Sequence, residues 1–252
     1  MANTETQNEP SKREALLGHL LAMRNMLFVS AVAILVGFVV VFYAAIDVLM
    51  GWITQPIVDR GIEIIYTAIS EALTTKFKVA LIAGIVIASP VVLWQIWSFI
   101  SPALYTHEKK TLVSLFFISL VLFLIGIMFC YGAVYLLAVD FFIVSGENLA
   151  TPMLSIDKYV GFMFGFIVPF GVAFMLPVFL YVTTKLGWTT YESLASKRKF
   201  VIFGIFVFAA ILTPPDIVSQ ILLGLPMVLL YEVGAQVCRF VKPMERKDEE
   251  EA

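Results

Sequence analysis

Charged residues are scarce in this chain, at 14% of 252 positions, whereas 60% are hydrophobic. Soluble domains carry about a quarter charged residues and about half apolar ones. A single soluble core of this size cannot hide so much apolar surface, so the bilayer is its expected solvent. Cysteine is nearly absent. Cys130 and Cys238 form no CxxC pattern and no zinc spacing, and they do not read as a disulfide pair. The two histidines, His19 and His107, lack ligand-spaced partners. No metal or cofactor is expected. A net charge of -2 offers no general attraction for nucleic acid.

Catalytic signatures are missing as well. The chain has no GxSxG, no HExxH, no phosphate-binding loop and no GxGxxG after a strand. Its apolar runs contain almost no carboxylate or histidine of the kind that relays protons at membrane depth. Asp47 and Glu232 stand near span ends and Lys78 near a span start, where interfacial anchoring explains them. The expectation is therefore not an enzyme. A multispan small-solute or ion transporter is the alternative class, but there is no internal repeat to support it.

What is present is a series of apolar runs. The fold class they predict is an all-α polytopic membrane protein with six transmembrane helices, forming one membrane domain over residues 1–252. Spans are expected at about 26–49, 77–99, 112–139, 159–184, 200–215 and 217–237. Residues 1–25 form a tail with a short amphipathic helix, because Leu16, Leu17, Leu20 and Leu21 fall at helical spacing. Residues 238–252 form a second tail. Pro90, Pro169, Pro177 and Pro226 interrupt spans two, four and six and are expected to bend them.

The last two spans are short. Only 16 residues lie between Lys199 and Asp216, and only 15 between Asp216 and Glu232. At about 1.5 Å per residue each covers about 24 Å or less, against a hydrocarbon core of about 30 Å. A turn of a few residues, Thr213-Pro214-Pro215-Asp216, makes the two a tight hairpin. The prolines end the fifth helix, and Asp216 can cap the sixth. Thr213 and Gln220 place polar atoms on this hairpin, where such groups often bond a neighbouring helix. A capped hairpin and a partner-helix site both fit these residues.

Lysine and arginine set the orientation. With the N-terminus inside, the inner set is Lys12, Arg13, Arg24, Lys109, Lys110, Lys185, Lys197, Arg198, Lys199, Arg239, Lys242, Arg246 and Lys247, which is 13 of the 17. The outer set is the remaining 4, Arg60, Lys76, Lys78 and Lys158. Both termini are therefore expected in the cytoplasm. Glu108 is the single acid in the basic loop SPALYTHEKK. Its carboxylate can pair locally with Lys109 or Lys110, or it can receive an incoming guanidinium bidentately.

The stretches HLLAMR at 19–24, ASPVVLWQIWSFISPALYTHEKK at 88–110, FGVAFMLP at 170–177 and ILTPPDIVSQILLGLPMVLLYE at 211–232 resemble the TatC family. This family is the receptor and core subunit of the twin-arginine protein translocase. The resemblance implies a cupped, six-helix receptor in a bacterial or archaeal cytoplasmic membrane. It binds twin-arginine signal peptides of folded cargo on the cytoplasmic side. Its implied partners are the single-span subunits TatA and TatB, with further copies of itself in a receptor complex, and transport draws on the proton-motive force.

Carried over by motif, the signal-peptide site falls on Glu108, with Phe99, His107, Arg24 and Ala22 nearby. The partner-helix residues are Thr213, Gln220 and Met175. The loop residues are Pro56, Pro214, Pro215 and Asp216. The sequence departs from the family pattern twice: Ala22 stands where a glutamate is usual, and Met175 where a Glu or Gln is common.

Overall fold

A computed structural model describes residues 12–100, 109–146, 153–213 and 216–241. Helix α1, Lys12–Ala44, bends at Ala45 into α2, Ile46–Val58. The backbone bonds Ala45 N–H to Val41 O and Leu49 N–H to Ala45 O carry the ladder through the bend, both at 3.0 Å. A short strand β1, Glu63–Ile65, leads to α3, Glu71–Ile100. Helix α4, Lys109–Phe129, passes through a π-helical turn, Cys130–Tyr135, into α5, Leu136–Gly146. Strand β2, Met153–Ser155, opens α6, Ile156–Ala173, and α7, Leu176–Lys185, completes that span. A short α8, Tyr191–Ser196, precedes α9, Arg198–Leu212, and α10, Ile217–Cys238.

Five segments are long and apolar enough to cross a membrane: Leu20–Ala44, Glu71–Phe99, Val113–Gly146, Ile156–Lys185 and Ile217–Cys238. The shorter α9, fifth in chain order, completes the set of six. Its 15 residues reach about 22 Å. Helix α10 keeps its short apolar stretch yet runs on past Glu232 for 22 residues in all. Glu232 Oε2 is paired there with Arg198 Nη2 at 3.1 Å. Hydrophobic length and helix length are thus different quantities in this hairpin.

One expectation is corrected. The amphipathic segment 12–25 is not a separate surface helix, because it continues without a break into the first span as α1. Each further residue adds a backbone bond to a ladder already nucleated, and no proline interrupts it. The prolines differ in whether they divide a helix. Helices α3 and α10 run on across Pro90 and Pro226. Only the fourth span divides, between Ala173 and Leu176. Pro177 has no N–H for the Ala173 carbonyl, and its ring crowds that oxygen, so α6 ends there.

The helices approach closely where side chains vanish. A Cβ on Gly37 would stand 2.6 Å from the Gly84 carbonyl oxygen, so α1 and α3 touch backbone to backbone. Phe77 of α3 stacks on Phe42 of α1 beside this contact, with ring centroids 5.0 Å apart. The centre of the bundle is filled by Tyr135, Met163, Phe166, Phe170 and Leu223, all buried. Apolar side chains such as Phe28, Leu35, Phe203 and Ile211 are exposed, as a lipid-facing surface requires.

Strand β1 pairs in parallel with β2, Glu63 opposite Met153 and Ile65 opposite Ser155. The loops after the first and third spans are therefore tied together. Tyr159 Oη donates to Ile53 O at 2.7 Å and Tyr131 Oη to Trp52 O at 3.0 Å, which fastens α2 to the same end of the bundle.

Candidate functional site

Glu108 and His107 lie outside the described residues, as do Pro214 and Pro215. The described chain stops at residue 100 and resumes at Lys109. Phe99 stands one residue from the end of α3 and is partly buried. Helix α4 begins at Lys109, directly after Glu108. Arg24 and Ala22 are exposed on α1.

Next to the start of α4 is a groove of about 580 Å³ between α4, α7 and α10. Thr111, Ser114 and Tyr181 give it hydroxyl groups, and Leu115, Ile118 and Val178 give it hydrocarbon. Thr111 is three residues beyond Glu108. An apolar peptide segment could lie in the groove while a charged end stays at the loop.

Met175 lies in the break between α6 and α7, with φ -82° and ψ -10°. It lines a separate cavity of about 370 Å³ together with Ile85, Ser89, Trp97 and Phe179. The Ser89 hydroxyl is buried and unpartnered among the described residues. With Met175 in its wall, this cavity is almost wholly hydrocarbon.

Thr213 and Gln220 both lie on the α9–α10 hairpin, and each bonds a different carbonyl of α9. Thr213 Oγ1 donates to Ala209 O at 3.0 Å, and Gln220 Nε2 donates to Phe206 O at 3.0 Å. Thr213 is extended, with ψ 158°, as a residue before proline should be. Asp216 is the N-cap of α10 and accepts from Ser219 N–H at 2.7 Å. The C-terminal end of α9 lies against the middle of α6. A Cβ on Gly165 would be 3.1 Å from Leu212 O, and Gly165 is nine residues along α6 from Ile156, about 13 Å.

Pro56 lies in the last turn of α2, and its carbonyl accepts from Arg60 Nη1 at 2.5 Å. Arg60 Nε meets Asp140 Oδ1 at 2.7 Å, which connects this loop to α5. Sequence reasoning missed this pairing and a second one centred on Glu71. Glu71 Oε2 accepts from Thr67 N–H at 2.5 Å, Thr67 Oγ1 at 2.8 Å and Ala68 N–H at 3.2 Å. Its Oε1 accepts from the Ser155 hydroxyl and from Asp157 N–H at 3.1 Å. One carboxylate thus holds its own helix start and the start of α6. Lys78 pairs with Asp157 at 2.5 Å and Lys76 with Asp47 at 2.8 Å, so the interfacial charges are partnered as well as anchoring. Only the position of Glu71 ahead of an apolar run hinted at a cap, and nothing in the sequence linked it to Ser155.

A kinked bundle of six apolar helices, with loops tied at one end and grooves between its helices, defines a polytopic membrane protein. Residues 18–226 match the family model of TatC, the Sec-independent protein translocase protein. TatC of Carboxydothermus hydrogenoformans is 37% identical over 235 residues, covering 93% of this chain and 96% of that protein. TatC of Aquifex aeolicus is 41% identical over 220 residues, covering 86% and 91%. TatC of Escherichia coli K12 is 34% identical over 240 residues, covering 94% and 93%. A crystal structure of the twin-arginine translocase receptor TatC superposes with a TM-score of 0.82 at 39% identity, covering 88% of this chain and 98% of that one. The chain belongs to the TatC family of Sec-independent protein translocases. The small-solute or ion transporter reading has no support.

Proposed function

We propose that this chain is the receptor subunit that binds twin-arginine signal peptides of folded proteins, without enzymatic activity of its own. It sits in the cytoplasmic membrane with both termini inside, a placement supported by the 13-to-4 split of lysine and arginine. The observation that carries the reading is its likeness to the receptor structure over 88% of the chain. Glu108 is the proposed arginine acceptor. Phe99, His107 and Arg24 are the further residues proposed for that site, and the groove that starts at Thr111 takes the apolar part of the signal peptide.

The α9–α10 hairpin is the proposed docking face for the single-span helices of TatA and TatB. Its exposed apolar residues, Phe203 and Ile211, offer the surface, while Thr213 and Gln220 hold the hairpin's shape. Pro56, Pro214, Pro215 and Asp216 shape the loops that set the helix ends. Several copies of the chain share one receptor complex, and the proton-motive force drives export.

The deciding experiment is equilibrium binding of Arg-Arg and Lys-Lys signal peptides to the purified protein and to Glu108→Ala. A carboxylate takes arginine through two parallel bonds but lysine only as a point charge. The substitution should weaken the Arg-Arg peptide roughly tenfold and the Lys-Lys peptide much less. Equal losses for both peptides would refute the role of Glu108.

A further inference from the structure

A groove of about 620 Å³ lies between α2 and the π-helical turn of the third span. Along α2 its character changes. Near Leu49 it is hydrocarbon, and Ile127, Met128 and Ile167 continue that wall. At the other end of α2, Gln55, Asp59 and Arg60 line it. Gln55 and Asp59 are four residues apart and share one helix face. Trp52, also in the lining, is exposed, as aromatic residues are at a membrane interface. This shape, apolar along its length and charged at one end, fits an amphiphile.

The charges narrow the choice. Arg60 uses Nε on Asp140 and Nη1 on the Pro56 carbonyl, and its Nη2 makes no bond among the described residues. The Arg60–Asp140 pair is neutral as a unit. Asp59 is exposed, and its carboxylate has no partner among the described residues. The polar end therefore offers an unused guanidinium amino group, Nη2, and one unneutralised carboxylate, side by side in sequence. A phosphate alone would meet the guanidinium but be repelled by Asp59. A headgroup with a phosphate and a primary ammonium meets both.

We propose that this groove is a binding site for phosphatidylethanolamine. The phosphate accepts from Arg60 Nη2, the ammonium donates to the Asp59 carboxylate, and one acyl chain lies along Leu49, Met128 and Ile167. A choline headgroup carries the same charges but no N–H, so it attracts Asp59 without a charge-assisted hydrogen bond. A phosphatidylglycerol headgroup has no cation for Asp59 at all. A partner's transmembrane helix would fill the hydrocarbon end but leave Asp59 exposed and unpaired.

Native mass spectrometry of the full chain, released from nanodiscs holding equal amounts of phosphatidylethanolamine, phosphatidylcholine and phosphatidylglycerol with matched chains, tests this. One phosphatidylethanolamine should be retained roughly tenfold over either competitor. Asp59→Asn keeps the side-chain shape and removes the charge, so it should abolish that preference without shifting the melting temperature. Met128→Trp fills the apolar end and should reduce retention of all three lipids. Equal retention of the three by the unaltered chain would overturn the proposal. So would a preference that survives Asp59→Asn, or crosslinking of a Met128→Cys variant to a partner helix with no lipid retained.

Discussion

Gly37 and Gly84 meet with no side chain between them. A Cβ on Gly37 would lie 2.6 Å from the Gly84 carbonyl oxygen, and one on Gly84 would lie 2.6 Å from the Phe38 nitrogen. Both neighbours are backbone, which cannot rotate away. In lipid, where apolar side chains gain nothing by leaving the solvent, such close backbone packing is a main source of helix association.

Gly84→Leu should therefore separate α1 from α3 and lower stability by about 1–3 kcal/mol. The measurement is the thermal midpoint in detergent. Gly51, whose Cβ position meets nothing within 4 Å, supplies the control. Gly51→Ala should leave the midpoint unchanged, and equal shifts for the two variants would refute the contact's importance.

Removing the Glu71 carboxylate should loosen one end of the bundle selectively. Glu71→Ala strips acceptors from Thr67, Ala68, Ser155 and Asp157 together. Hydrogen exchange should accelerate at residues 63–65 and 153–157 while the amides of α10 keep their protection. Unchanged exchange in the β1–β2 pair would show that the strands hold without it.

At Ala22 the family's usual glutamate can be restored. The position is exposed on α1, so the longer side chain meets no packed neighbour. Ala22→Glu should tighten Arg-Arg peptide binding several-fold by supplying a second carboxylate, with a smaller gain for Lys-Lys. A binding titration at fixed ionic strength decides it. No gain for either peptide would mean that position 22 lies away from the bound arginines.

Partner docking on the hairpin predicts a pattern of disulfide crosslinks. Ile211→Cys and Phe203→Cys should crosslink to cysteines placed in a TatA or TatB helix, because both positions are exposed. Thr213→Cys should crosslink poorly, since Thr213 is 6% exposed and turned into the hairpin. Cys130 and Cys238 are buried and will not compete. Efficient crosslinking from Thr213 and none from Ile211 would place the partner elsewhere.

Much of the architecture was legible because the bilayer is a demanding solvent. An apolar run of about 20 residues reads as a spanning helix, so the four long runs meant four spans, and the short last two were counted from the turn between them and the charge split. The turn at Thr213–Asp216 was readable for a local reason, since proline and an N-cap act within a few residues. Contacts between distant segments were not readable. Nothing in the residues around Glu63 names Met153 as a partner, and nothing around Arg60 names Asp140. The divided fourth span was only half legible. Pro169 and Pro177 are equal on paper, yet the helix breaks ahead of Pro177 and continues through Pro169.

By itself, the sequence determined the membrane as solvent, the number of spans, the short reach of α9 and the charge asymmetry along the chain. Each follows from composition within one segment, where the free energy of burying apolar groups and satisfying backbone bonds is local. Tertiary structure alone decided the Gly37–Gly84 contact, the Glu71 and Arg60 bonds that bind the loops, and the grooves at Thr111 and Asp59. Those depend on packing residues that are tens of positions apart in the chain. A carboxylate becomes a tie or a ligand only once the bundle has placed a donor, or left a space, beside it.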